Sequence, residues 1–402
     1  MATGAAGRRR WIYPALCFVI TFLGGTLYSY SIVGYEIQRL WGVSAAEAGI
    51  PYLAALGVYG YLMVLGGVLE RRFGSEKVPL YLGALMFGLG FTSSSFVDRN
   101  VALFTASYLI AGLGLALMDS MTLPIATSWV PDRPGLAVGV ARTGFGIAPL
   151  VVAPLLEHLF KAYGFNAGLR IVGVAYLVVA LAVASLAKVN PNSREKLVHG
   201  DVGRELLAVL SAKCFWLVWL LYSAGLFTSL AYVGYAKQIG VELASVDAEL
   251  MSYLIAAFSI FNGASRVISG RITDAKGFLF AATLNYALTS CALTALWLYP
   301  TPAVFAVSSI IIYANLGGWL VIAPAEVRSL MSPEKYALTW PLLMTGYASA
   351  AFAGTAVAGI LRDVHGSFEA LLPVALSVTL TLGLLPLHSV YRRTCKSHRS
   401  RY

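Results

Sequence analysis

A single arginine lies in the middle of a long apolar stretch of this sequence. Residues 253–277 read YLIAAFSIFNGASRVISGRITDAKG, and Arg266 lies there among Leu, Ile, Ala, Phe, Val and Gly. A guanidinium is always charged, and its paired N–H groups match the geometry of a carboxylate. Two interpretations are open. Arg266 binds a carboxylate ligand inside the protein, or it is a structural residue that donates to helix carbonyls or to Asp274.

Two further charges lie in apolar surroundings: Asp119 in LALMDSMTLP and Arg142 in GVARTGFG. At 1.5 Å per helical residue, counted from the loop between Trp129 and Pro134, both lie roughly 12–18 Å deep. Opposite charges at similar depth on neighbouring helices most economically form an ion pair. The alternative is that Asp119 takes up a proton that travels with a substrate, and that Arg142 releases it in one conformation.

The elements that must hold these side chains are membrane helices. The chain is 58% hydrophobic and only 12% charged, and its mean hydropathy is +0.74, far outside the range of soluble domains. Crossing a bilayer takes about 20 apolar residues in a helix, and such runs recur along the chain. The sequence therefore predicts an all-α, polytopic membrane protein. The twelve predicted spans are 11–33, 49–69, 78–97, 101–125, 136–159, 167–187, 214–236, 248–270, 278–299, 302–324, 338–361 and 367–390.

The net charge of +10 reflects topology in this interpretation. With a cytoplasmic N-terminus, 21 of the 29 lysines and arginines fall on the cytoplasmic side and six on the outer side. Cytoplasmic loops of membrane proteins carry this excess. The sequence thus predicts cytoplasmic N- and C-termini in a multi-pass protein of the inner (plasma) membrane, with the lipid bilayer and no nucleic acid among its partners.

The residues that could carry enzymatic chemistry show no catalytic spacing. Cys17, Cys214, Cys291 and Cys395 have no paired spacing, which predicts neither a disulfide framework nor a zinc site. The five histidines lie at span ends, in loops or in the tail, and no G-x-x-x-x-G-K-[ST] loop is present. We therefore expect no enzyme activity, no metal and no cofactor.

An internal repeat divides the chain near its middle. RTGFG at 142–146 matches MTGYA at 344–348, and Gly164 matches Gly366, both at an offset of 202 residues; GGVLERRFG at 66–74 matches SGRITDAKG at 269–277 at an offset of 203. The polar segment 190–213 separates the two copies. These matches predict two parallel six-helix bundles, 1–189 and 214–402, joined by a cytoplasmic linker, 190–213, with a binding site between them near the midplane.

The loops after spans two and eight resemble the signature of the major facilitator superfamily. GRITDAKG keeps Gly270, Asp274 and Gly277 but has alanine where an arginine is usual, and GGVLERRFG keeps Arg72 and Gly74 but has arginine where the acid normally stands. The resemblance extends over the whole chain. It implies the major facilitator fold and assigns Asp274, Arg72, Gly74 and Gly277 to gating loops.

A narrower resemblance points to the oxalate/formate antiporter group. WVPDRPGLAVG at 129–139 resembles its segment between spans four and five, and NGASR, with Asn262 and Arg266, resembles its span-eight motif. In that group the matching arginine contacts the substrate anion, and a span-eleven lysine supplies a second cation. Tyr347 stands here in place of that lysine. Tyr28 in GGTLYSYS matches the group's span-one G-x-x-Y.

These features predict a secondary active transporter of small organic anions. One arginine and a phenol favour a monocarboxylate such as formate, lactate, pyruvate or acetate, because a second carboxylate would be buried without a counter-charge. Arg266, Tyr347, Tyr28, Trp319 and Asn262 are the predicted substrate-binding residues. We expect a monomer that works by alternating access, with proton symport or anion exchange both open. The alternatives are an oxalate/formate-type dicarboxylate antiporter and a non-transporting sensor or a channel on the same fold.

Overall fold

The protein is helical throughout the part of the chain that the computed structural model describes, residues 10–191, 207–330 and 333–395. Most of the predicted linker 190–213 and both extreme termini lie outside the described residues. The helices of the first half are α1 (Ile12–Gly25), α2 (Tyr30–Trp41), α3 (Ala45–Leu62), α4 (Val64–Phe73), α5 (Lys77–Ser94), α6 (Val101–Ser120), α7 (Thr122–Trp129), α8 (Pro134–Tyr163) and α9 (Phe165–Leu186).

The second half is built in the same way. Its helices are α10 (Lys213–Gly234), α11 (Ala236–Ala244), α12 (Ala248–Leu298), α13 (Pro302–Leu330), α14 (Pro333–His365), α15 (Leu371–Val378) and the short α16 (Arg392–Thr394). The wider π-helical turns Thr379–Leu384 and Leu387–Tyr391 continue the last predicted span. The predicted all-α class is confirmed.

The predicted spans all coincide with helical residues, but several are bent or merged. Nine helices in the described ranges are long and apolar enough to cross a membrane, and a tenth results when α3 and α4, bent by 46°, count as one span. Helix α12 has 51 residues and covers the predicted spans 248–270 and 278–299. It is interrupted at Gly277, where φ is 82°. The exact number of twelve stays a prediction.

The repeat read from the sequence recurs in the backbone geometry. Gly74 and its partner Gly277 both adopt positive φ, at 62° and 82°, and so do Gly164 and Gly366, at 83° and 73°. Only glycine takes up this conformation without steric strain. The matched glycines therefore end corresponding helices in the two halves.

Two helix pairs make the largest contacts between the halves. Within the first half α1 packs on α8, and α6 packs on α3 and α5; within the second, α10 packs on α13 and α14. Helices α3 and α14 pack together across the halves, and so do α8 and α12. The contact between α8 and α12 brings Arg142 and Arg266 to the same interface.

One sequence prediction was wrong. Cys214, at the start of α10, and Cys395, just after α16, form a disulfide with a Cα–Cα distance of 5.7 Å. Their sequence separation is 181 residues, and no local spacing indicates a pair so far apart. The fold brings them together because the start of the first helix of the second half lies beside the end of its last helix.

Candidate functional site

A cavity of about 950 Å³ lies between the two halves. Tyr28, Tyr59 and Arg142 line it from the first half, and Arg266 and Tyr347 line it from the second. Its wall also reaches the helix ends that carry the loops predicted to be cytoplasmic. The residues at that mouth are Gly135, Arg271, Asp274, Arg328 and Ser329.

A break in the first span brings Tyr28 to the cavity. Helix α1 ends at Gly25, and a 3-10 turn, Thr26–Ser29, carries the tyrosine. A Cβ at Gly25 would lie only 2.4 Å from the carbonyl oxygen of Phe145, so only glycine allows α1 to approach α8 this closely. The Tyr28 ring then packs edge-on against Phe145, with 5.0 Å between the centroids.

Arg266 is buried at the cavity wall, with 9% of its surface exposed. Its Nη1 donates to the carbonyl oxygen of Arg142 at 2.6 Å, and its Nη2 donates to Asn262 Oδ1 at 3.3 Å. Its Nε has no hydrogen-bond acceptor in the described chain, and no carboxylate there pairs with it. The carbonyl of Arg142 and the Asn262 side chain therefore hold Arg266 in place, while no carboxylate of the described residues neutralises its charge.

Two buried phenols lie next to Arg266 in the cavity wall. The hydroxyl of Tyr347 donates to the hydroxyl of Tyr28 at 3.0 Å. Tyr347 also packs edge-on against Tyr59, with 6.0 Å between the centroids. Because Tyr28 accepts this bond, its own proton can be donated to an acceptor in the cavity.

Asp119 and Arg142 form an ion pair. Arg142 Nη1 lies 2.6 Å from Asp119 Oδ2, and the Asp119 side chain is fully buried. The same oxygen accepts from Tyr59 at 2.7 Å, and Asp119 Oδ1 accepts from Thr122 at 2.9 Å. The carboxylate is thus held by three donors from three helices, which fixes the position of the Arg142 guanidinium.

Arg142 keeps further donors beyond this pair. Its Nε and Nη2 have no acceptor in the described residues, and Nε1 of Trp340 and Nδ2 of Asn262 also have none. The Trp340 ring lies 5.1 Å from Arg142 Cζ. Together with Arg266 Nε, this region of the described chain has five buried N–H-bearing atoms without acceptors.

The remaining predicted site residues differ in whether they line the cavity. Trp319 is fully buried but does not line the cavity; it packs against Tyr286 with 4.9 Å between the ring centroids. Asp274 lines the mouth of the cavity, and Arg72 is exposed at the end of α4. Arg266, Tyr347 and Tyr28 thus line the cavity, Asn262 accepts a hydrogen bond from Arg266 outside its wall, and Trp319 lies in the helix packing.

The opposite end of the interface is closed by contacts that the sequence did not predict. Lys237 on α11 pairs with Glu157 on α8 at 2.5 Å, and Ser252 on α12 donates to the same carboxylate at 2.8 Å. The carboxylate of Asp363, on α14, accepts from the backbone N–H groups of residues 45 and 46 at 2.8 and 2.9 Å. These contacts bridge the two halves, so the structure is closed at the predicted outer side and open at the predicted cytoplasmic side.

Comparison with known proteins identifies the family. The sequence model described as Major Facilitator Superfamily matches residues 15–355. The oxalate:formate antiporter of Oxalobacter formigenes is 23% identical over 95% of this chain and 92% of its own length. Monocarboxylate transporter 3 of Rattus norvegicus is 25% identical over 96% of this chain and 83% of its own length.

Solved structures agree at the level of the fold. A bacterial homolog of the human lysosomal transporter Spinster, in an inward-facing and occupied conformation, has a TM-score of 0.72 at 14% identity and covers 97% of both chains. A nucleoside transporter has a TM-score of 0.74 at 13% identity, with 94% of this chain and 100% of that one covered. The chain therefore belongs to the Major Facilitator Superfamily and is a membrane transporter, not an enzyme.

Proposed function

We propose that this transporter moves small monocarboxylates across the plasma membrane by alternating access. The observation that supports this most directly is the buried charge of Arg266 at the cavity wall without an acidic partner. A buried cation is costly unless an anion or a polar cavity compensates it. A substrate carboxylate would supply that anion, and the Arg266 guanidinium and the Tyr28 hydroxyl would supply its donors.

The charge of the site supports a monoanion. Arg266 and Arg142 contribute two positive charges and Asp119 one negative charge, which leaves a net charge of about +1 in the buried part of the cavity. A carboxylate with one negative charge neutralises this site. Formate, acetate, lactate and pyruvate all carry one charge at neutral pH, and their similarity to the substrates named for two of the relatives adds support.

The open and closed ends of the cavity support the proposed mechanism. The described conformation opens toward the end where most lysines and arginines fall, which the asymmetry rule assigns to the cytoplasm. In the proposed cycle, the bundles 1–189 and 214–402 rock about the site, and the linker 190–213 and both termini stay cytoplasmic. Proton symport and anion exchange are both compatible with this cycle in a single chain.

A ligand screen on the purified protein tests the proposal. Because a ligand that binds only the folded state raises the melting temperature according to its affinity, formate, acetate, lactate and pyruvate should stabilise the protein more than oxalate and malonate do. A preference for oxalate over every monoanion would instead favour the dicarboxylate antiporter.

Flux into proteoliposomes separates a carrier from a channel or sensor on this fold. A carrier gives saturable uptake that is accelerated by unlabelled substrate inside the vesicles. Linear uptake without exchange would favour a channel, and binding without any flux would favour a sensor.

A further inference from the structure

Asp119 occupies an unusual position relative to the cavity. Its side chain is fully buried, and it does not belong to the cavity wall, so it is not placed to touch a substrate. Its ion-pair partner Arg142 does line the cavity, together with Arg266. Two arginines thus line the buried part of the cavity wall, and among the described residues only Arg142 is paired with a carboxylate.

The geometry around Asp119 keeps its negative charge next to Arg142. Tyr59 and Thr122 both donate to the carboxylate, at 2.7 and 2.9 Å. An ionised carboxylate only accepts hydrogen bonds, and the Tyr59 and Thr122 hydroxyls and the Arg142 guanidinium all donate to it. Asp119 therefore acts as a fixed counter-charge that removes the net charge of Arg142 but leaves its Nε and Nη2 without acceptors.

We propose that Asp119 sets the charge selectivity of the transporter, by neutralising one arginine of a two-arginine site so that the site accepts one negative charge and rejects two. This inference rests on the proposed carboxylate transport and assigns Asp119 a positioning role that acts through Arg142. Arg142 then lines the cavity without adding a net positive charge to it. Arg266 supplies the uncompensated charge.

The other charges near the cavity do not change this count. Arg271, Asp274 and Arg328 lie at the mouth and are exposed. Water and salt screen charges at such positions far more than charges in the buried part. Selectivity between one and two negative charges is therefore set where Arg142, Arg266 and Asp119 meet.

The test is Asp119→Asn, which removes the charge and keeps the shape of the side chain. The affinities for malonate and for acetate are measured with the purified protein in nanodiscs. The variant raises the site from one to two net positive charges, so the ratio of malonate affinity to acetate affinity should rise at least ~10-fold over wild type, a conservative expectation for one added charge at a buried site. Asp119→Glu keeps the charge and should keep the wild-type ratio more closely.

A second variant links the effect to Arg142. In Asp119→Asn/Arg142→Gln the net charge returns to that of wild type, and the gain for malonate should disappear. A purely structural role of the pair would change stability in these variants without moving the malonate-to-acetate ratio.

Each outcome distinguishes this inference from the proposed function. If wild type binds no carboxylate, the proposed function fails. If wild type binds acetate and Asp119→Asn leaves the affinity ratio unchanged, only the selectivity role of Asp119 is overturned. Should Asp119→Asn unfold without ligand, malonate in the purification buffer should rescue its folding better than acetate does; equal rescue by both, or rescue by neither, would also overturn it.

Discussion

The ion pair between Lys237 and Glu157 should determine how readily the transporter opens to the outside. The two side chains are only 1% and 10% exposed and lie 2.5 Å apart across the halves. Removing one partner of a buried pair costs about 3–5 kcal/mol, because the other charge stays buried without compensation. Lys237→Met therefore destabilises the outer-closed state by about 3 kcal/mol or more, and ~3 kcal/mol corresponds to a roughly 150-fold change in a conformational equilibrium.

The protein can relieve this penalty by opening outward, since Glu157 then reaches water. Spin labels at positions 40 and 250, both exposed leucines, report the distance across the outer side, in a background with Cys17 and Cys291 replaced by alanine. Lys237→Met and Glu157→Gln should each add a population with a longer distance. The double variant should shift less than either single variant, because neither charge is left unpaired.

Lys161→Met is the matched control. Lys161 pairs with Glu249 across the same interface, but both side chains are about half exposed, and such solvent-screened surface pairs contribute little to stability. Its distance distribution should stay close to that of wild type. The reasoning is refuted if Lys237→Met leaves the distribution unchanged, or if Lys161→Met shifts it as much.

Three further expectations follow from the site. Asp119→Asn and Arg142→Gln should each lower the melting temperature more than the double variant does, because each single variant leaves one buried charge without its partner; additive shifts would contradict the pairing. Tyr347→Lys adds a cation to the cavity, so oxalate should stabilise this variant more than formate does in the same thermal-shift assay, and a retained preference for formate would contradict the charge count. Gly317→Val should abolish folding or cost several kcal/mol, because a Cβ at Gly317 would lie 2.1 Å from the carbonyl oxygen of Asn262; circular dichroism of the purified variant checks this, and a wild-type melting curve would contradict it.

The sequence was most informative about position along a helix. A rise of 1.5 Å per residue placed Asp119 and Arg142 at similar depth, and the structure joins them. The repeat offset likewise paired Gly74 with Gly277. A third pair was missed: Gly42 and Ser245, 203 residues apart, both have positive φ, and a serine in this conformation hides the match from a search for glycines.

The sequence was least informative about rotation around a helix and about distance between the halves. Trp319 lies at a plausible depth, yet its ring turns toward Tyr286 and not toward the cavity, and only the packing of neighbouring helices decides this direction. Glu157 and Lys237 stand on different halves and meet because this conformation closes the outer side. The sequence showed only that Glu157 is an acidic residue in the fifth predicted span, and this did not indicate which basic residue pairs with it.

The measurement that tests the central claim most directly is the concentration dependence of radiolabelled lactate and formate uptake by wild type and Arg266→Lys in proteoliposomes. Lysine keeps the charge but loses the planar pair of donors. A lost charge-assisted hydrogen bond is worth about 1.5–3 kcal/mol, so the half-saturation concentration should rise roughly 10- to 150-fold. Arg71→Lys, at an exposed arginine outside the cavity, serves as the control and should match wild type. Saturable uptake that is lost or weakened only in Arg266→Lys is the predicted result, and equal half-saturation in wild type and Arg266→Lys would contradict the assignment of Arg266 as the carboxylate-binding residue.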